Sequence, residues 1–197
     1  MYKKQMTAQK LLCMAAIIVS AIFFLYTLGI MTDLYDSLYD TMRNPNDPYQ
    51  TDVPGSILYY AMQAFNRYLL ILSIAQILLG ALLFITNTHS RRRYYIGNFT
   101  ATALFTVGAV YSSVYAHINI EEAKRQFLTT IDFAALKEHA EMWGTLYTES
   151  TFWFDLHYVV FGLLLAASAL LVVNAVWKIQ LMKEEAQLLK NEGGVAG

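Results

Sequence analysis

"LLCMAAIIVSAIFFLYTLGIM", residues 11–31, holds 21 consecutive positions without an aspartate, glutamate, lysine or arginine. A helix rises 1.5 Å per residue, so about 20 such positions cross the roughly 30 Å of a bilayer's hydrocarbon core. Three more stretches meet the same condition: Tyr68–Asn87, Ile96–Ala116 and Leu156–Trp177. The whole chain of 197 residues is 56% hydrophobic and 15% charged, with a mean hydropathy of +0.37, too apolar for an ordinary soluble domain of this length. Continuous apolar blocks, rather than short alternating segments, exclude a β-barrel. The expected fold is therefore an all-α membrane protein: one four-span domain over residues 1–197, a four-transmembrane-helix bundle with a small helical extracytoplasmic cap. Lys3, Lys4 and Lys10 before the first run resemble the start of a signal peptide. The run is too long for one, however, and no small-x-small cleavage site follows, so it reads as a retained span.

Basic residues near span ends stay on the cytoplasmic side. Here the N-terminal tail carries three lysines and no acid, "THSRRRYY" (88–95) carries three arginines, and the C-terminal tail carries Lys178, Lys183 and Lys190. The connections 32–67 and 117–155 hold twelve of the fifteen acids, which places them outside and both termini in the cytoplasm. Beyond Trp177 the last helix runs on as a cytoplasmic segment over 178–192, either a solvated stalk or a ligand helix for a cytoplasmic partner. The outer connections lack an Asn-x-Ser/Thr site, which points towards a bacterial plasma membrane. Cys13 is the single cysteine, so no intrachain disulfide forms; packing is its expected role, with acylation at the membrane edge as the alternative.

Immediately after the first span, "TDLYDSLYDTM" (32–42) places Leu34, Leu38, Met42, Tyr35 and Tyr39 on one helical arc and Asp33, Asp36, Asp40 and Ser37 on the other. Lipid-binding helices usually carry lysine and arginine on their polar face, so the Leu/Tyr face is expected to dock on the bundle with the carboxylates in water. A calcium site continuing through Asn46, Asp47 and Asp52 is the sharper alternative, but the alternating oxygens around a glycine turn are missing. Pro45, Pro48 and Pro54 predict a turn-rich crossing, and the second long helix is expected to begin near Ser56. In the second outer connection the third long helix continues past the membrane, with Ile120, Ala123, Phe127 and Ile131 on one face. A separate helix over "DFAALKEHAEMWG" (132–144) follows, capped by Asp132 and stopped by Gly144, with Phe133, Leu136, Ala140 and Trp143 facing inward and His139 on that side.

Inside the bilayer, small residues and a few side-chain hydrogen bonds must hold the helices together. Asn66, Ser73, Gly80 and Asn87 recur every seven residues, with Gln76 nearby; Gly108, Ser112 and Ala116 recur every four, and Gly162 with Ala166 supply the fourth helix. These seams predict a bundle centred on the third span, or else a contact surface for other membrane subunits or a second copy. Tyr94, Tyr95 and Trp177 suit the inner interface, and Trp153, Tyr158, Tyr59 and Tyr60 the outer one.

No span carries an acidic or basic residue at mid-depth, which argues against a self-contained proton-coupled carrier. The chemical candidates are histidines of the outer side: His117, His139 and His157. His117 and Glu121 lie four residues apart on one helical face and His157 with Asp155 can complete a metal shell, while His117 and His157 can alternatively be imagined to clamp a haem. A Ser150/His157/Asp155 triad lacks a nucleophile elbow. No glycine loop cradles a phosphate, and "SRRR" beside a span reads as a topology anchor rather than a nucleic-acid patch.

Four spans with both termini inside and a larger second outer connection resemble the tetraspanin plan, in topology alone: the disulfide-forming cysteines of that family's outer loop are absent. Three functions follow from the residues. The first is a non-enzymatic accessory or assembly subunit of a larger membrane transport or envelope complex, without cofactor. The second is a metal- or haem-binding redox protein using the outer histidines, and the third is an oligomeric channel lined by Ser73, Gln76 and Gly80.

Overall fold

A computed structural model describes residues 2–41, 50–87 and 92–193. It is helical, with four long helices: α1 (Tyr2–Gly29), α3 (Leu58–Asn87), α4 (Arg92–Thr130) and α6 (Phe152–Gly193). Two short ones, α2 (Thr32–Leu38) and α5 (Phe133–Trp143), lie in the connections, and a 3-10 turn, Tyr39–Thr41, follows α2. The four long helices are long and apolar enough to cross a membrane. Their outward faces are as greasy as their contacts, with Leu25, Leu78, Val107 and Val173 all more than 60% exposed. A helix apolar all round belongs in hydrocarbon, so the chain is an integral, multi-pass membrane bundle.

The packing is a square. α1 borders α3 and α6, and α4 borders the same two, so no helix is central and the expectation that the third span occupies the middle gives way. Phe23, Leu69, Phe105 and Leu164 fill the interior, and Phe23 meets Phe161 edge to face at 4.9 Å between ring centroids. Both α4 and α6 are far longer than a bilayer requires, with 39 and 42 residues, and so project beyond it.

Gly55 is what allows the entry to α3 to meet the end of α4. Its φ is +87°, and a Cβ there would lie 2.4 Å from the Thr130 carbonyl oxygen. α5 forms as its sequence dictates: the Asp132 carboxylate accepts from the backbone N–H groups of Ala134 and Ala135, and Gly144 ends the helix at φ +67°.

Three details depart from the sequence reading. On α2 the docked face is Leu34, Ser37 and Leu38, continued by Thr41, whereas Tyr35 and Tyr39 are exposed. Those two rings stack on each other at 4.9 Å and meet the Tyr59 ring, which shelters their faces while leaving the hydroxyls free to reach water. On α5, Leu136 and Ala140 are buried, but Trp143 at the last helical position lies past the packed face and is 68% exposed. Lys178, expected in a solvated tail, is buried with its ammonium 5.4 Å from the centre of the Phe99 ring. The exposed run of α6 starts only after Leu181. Met42, Pro45, Asn46, Asp47 and Pro48, Ser90 and Arg91 of the arginine turn, the side chains of Tyr94 and Tyr95, and that of Lys190 fall outside what the structure describes.

Candidate metal centre

Two adjacent antiparallel helices bring three ligand side chains to one point. His117 and Glu121 are a turn apart on α4, and His157 lies six residues into α6 on the face that packs against it. The ligand atoms of the three side chains all lie within 4.8 Å of one another. His117 Nδ1 is 3.1 Å from His157 Nε2, and Glu121 Oε1 is 4.0 Å from the same Nε2. His157 is buried, Glu121 is half-buried and His117 is exposed, so the cluster opens to its surroundings on the α4 side.

The neighbours orient these groups. His157 Nδ1 sits 2.5 Å from the Phe154 carbonyl oxygen, which can only accept, so Nδ1 carries the proton and Nε2 presents its lone pair to His117. The Tyr158 hydroxyl donates to Glu121 Oε1 at 2.9 Å and fixes the carboxylate. A metal about 2.05 Å from both nitrogens would subtend about 98° at their present separation, against roughly 109° in a tetrahedron. A separation a few tenths of an ångström wider closes that gap, and Glu121 Oε1, now 4.0 Å from His157 Nε2, would have to draw closer for all three to share one ion. The donor set therefore fits a divalent transition metal.

Other expected participants are elsewhere. Asp155 accepts from Lys124 Nζ at 2.5 Å and from the Thr151 hydroxyl at 2.7 Å, and the Lys124 ammonium foremost holds its carboxyl below the usual range. His139 lies on α5, its ring 6.3 Å from that of Trp143, apart from the cluster. The haem expectation fails on distance: axial nitrogens on either side of an iron need about 4 Å between them, and these two are 3.1 Å apart. Ser150 accepts from the Phe152 N–H rather than facing His157, so no triad forms.

The packing seams divide. Gln76 Nε2 donates to the Phe105 carbonyl at 3.0 Å, and a Cβ on Gly108 would sit 2.7 Å from Gln76 Oε1, so α3 and α4 touch there. Gly80 lies against Ile17 of α1, and Ser73 and Ser112 are buried. Ser73, Gln76 and Gly80 are thus taken up inside one chain rather than facing a pore between copies. Asn66 Oδ1 is buried without a partner among the described residues. Gly162 and Ala166 face outward, with nothing within 4 Å of a Cβ placed on Gly162.

A second polar cluster, unanticipated, occupies the opposite end of the bundle. Gln5 Nε2 donates to Gln9 Oε1 at 2.9 Å and to Asn174 Oδ1 at 3.3 Å. Gln9 Nε2 donates to Asn98 Oδ1 at 2.6 Å, and Asn98 Nδ2 passes the chain on to Thr86 of α3. All four carboxamides are buried. The available signal was the four-residue spacing of Gln5, Gln9 and Cys13 and of Asn174 and Lys178, but these fall where composition shifts from tail to span.

No protein-family model matches the chain, and neither does any curated protein or solved structure.

Proposed function

We propose that this chain is a metal-binding membrane protein that holds a divalent transition metal through His117, Glu121 and His157 at the outer edge of a bacterial plasma membrane. The supporting observation is the convergence of three donors from two helices, with the His157 proton and the Glu121 carboxylate each held by a neighbour. Two imidazoles and one carboxylate suit zinc or ferrous iron. Such an ion would supply Lewis-acid or one-electron chemistry. Metal analysis of protein purified in mild detergent from metal-supplemented cells tests this: a stoichiometric ion is expected, lost in His157→Ala. A preparation that is metal-free and takes up none on reconstitution ends the reading.

The outward placement of the site rests on the charge asymmetry of the connections. In a Cys13→Ser background, Asp40→Cys is expected to react with an impermeant maleimide on intact cells and Lys183→Cys only after permeabilisation. The opposite pattern puts the metal site in the cytoplasm. A second reading, an accessory subunit, draws support from Met142, Trp143 and Leu146, each at least 66% exposed on the cap. Such a patch is what a partner protein would cover, and co-purification with a stable companion would favour it.

A further inference from the structure

We propose that the metal at this site keeps a coordination position open and fills it with an oxyanion, a carboxylate or phosphate oxygen, delivered at the membrane edge. The inference rests on the metal reading above. Its first support is a count of donors. Asp155, two residues before His157, is engaged by Lys124 and Thr151; Glu122, next to Glu121, is held by Arg125 and Gln126; and the Tyr158 hydroxyl is given to Glu121. His139 belongs to the cap. Among the described residues three protein ligands remain, the number that leaves a fourth position to solvent or substrate.

Charge gives the second support. A divalent ion facing one carboxylate and two neutral imidazoles keeps one uncompensated positive charge, and the adjacent Lys124–Asp155 pair cancels itself. At the edge of a low-dielectric region that charge favours an anionic fourth ligand over water. The third support is where the site opens. Val114 and Ile118, 54% and 63% exposed, lie on the same α4 stripe as His117 and Glu121, and Val159 is similarly bare on α6. Gly162 lies one turn below Tyr158 and leaves clear space beside it. The oxyanion can therefore arrive as a free anion from the water or as the head group of an amphiphile whose chain lies along this stripe.

Cobalt(II) is the probe, because its visible bands report coordination number and ligand exchange. Protein in dodecyl maltoside micelles is loaded with cobalt(II) and titrated in parallel with acetate and with laurate. The bands are expected to shift with either. If the source is an amphiphile, laurate acts at a total concentration roughly tenfold or more below acetate, since each methylene removed from water strengthens binding. Gly162→Leu then erases laurate's advantage without altering the acetate response, which separates a groove on the protein from simple partition into micelles. Equal responses assign the ligand to the aqueous side. Bands insensitive to both anions mean that the protein closes the coordination sphere, and the inference is overturned while the metal reading stands. Cobalt that fails to bind, or binds equally well to His157→Ala, overturns the metal reading itself.

Discussion

The two ends of the bundle solve the same problem in opposite ways. Each gathers polar side chains from different helices, at least one of them buried, where hydrocarbon would leave an unpaired group costly. At the end nearer the N-terminus the groups are carboxamides, which carry donors and an acceptor on one planar unit, and they link from Gln5 through Gln9 to Asn98, with Gln5 Oε1 left without a partner among the described residues. At the other end they are two imidazoles and a carboxylate brought to one point, with His157 Nδ1 and the Glu121 carboxylate already engaged by neighbours. A largely self-paired network crosslinks helices. A convergent set of ligand side chains offers a place for a cation.

This contrast breaks first at His157. His157→Ala should abolish metal retention at any practical free concentration, because it removes the buried ligand whose tautomer is set by the backbone, whereas Asn174→Leu should leave metal content unchanged. Equal loss in both variants would mean that the two ends are one coupled unit. The next effect in size is expected at the carboxamide end. Gln9→Leu strands the Asn98 oxygen and one Gln5 N–H, and should cost about 1–3 kcal/mol in reversible unfolding in micelles, with metal stoichiometry intact.

Tyr158→Phe sharpens the histidine half of the comparison. The ring stays, but Glu121 loses its donor, so metal affinity should fall by about 10- to 100-fold while unfolding of the metal-free protein barely moves. The smallest effect belongs to the Lys124–Asp155 pair, which is partly exposed. Lys124→Met should change stability by only a few tenths of a kcal/mol. Because Lys124 lowers the folded-state value of Asp155, the pair's contribution is present above the ordinary carboxylate range near 3.8 and is lost as pH falls through the lowered value. A stability profile should therefore show the full difference between variant and parent above pH 4 and a difference that shrinks progressively as the pH falls below it.

Much of the architecture was readable from the chain because the bilayer imposes a length and a composition that few sequences meet by chance. The Asp132 cap and the Gly144 stop were likewise local, each needing only its own neighbours. What escaped were features decided between helices. The sidedness of Tyr35 and Tyr39 depended on Tyr59, twenty residues away, and the burial of Lys178 on α4 lying alongside. For the candidate site, the pairing of His117 with Glu121 followed from helical spacing, and His157 joined them because antiparallel neighbours align span ends. The exclusion of Asp155 and His139 was invisible, since only the fold shows that Lys124 reaches one and that α5 carries the other away.

Both polar clusters borrow from α6: Asn174 serves the carboxamide cluster and His157 the histidine one. α6 is also the helix that closes the square against α1. During synthesis the earlier helices can already pair Gln9 with Asn98, whereas Gln5 has no Asn174 and His117 no His157 until α6 is made. On the metal reading proposed above, a ribosome stalled before residue 152 would leave a chain that cannot load, and metal uptake would report on completed insertion.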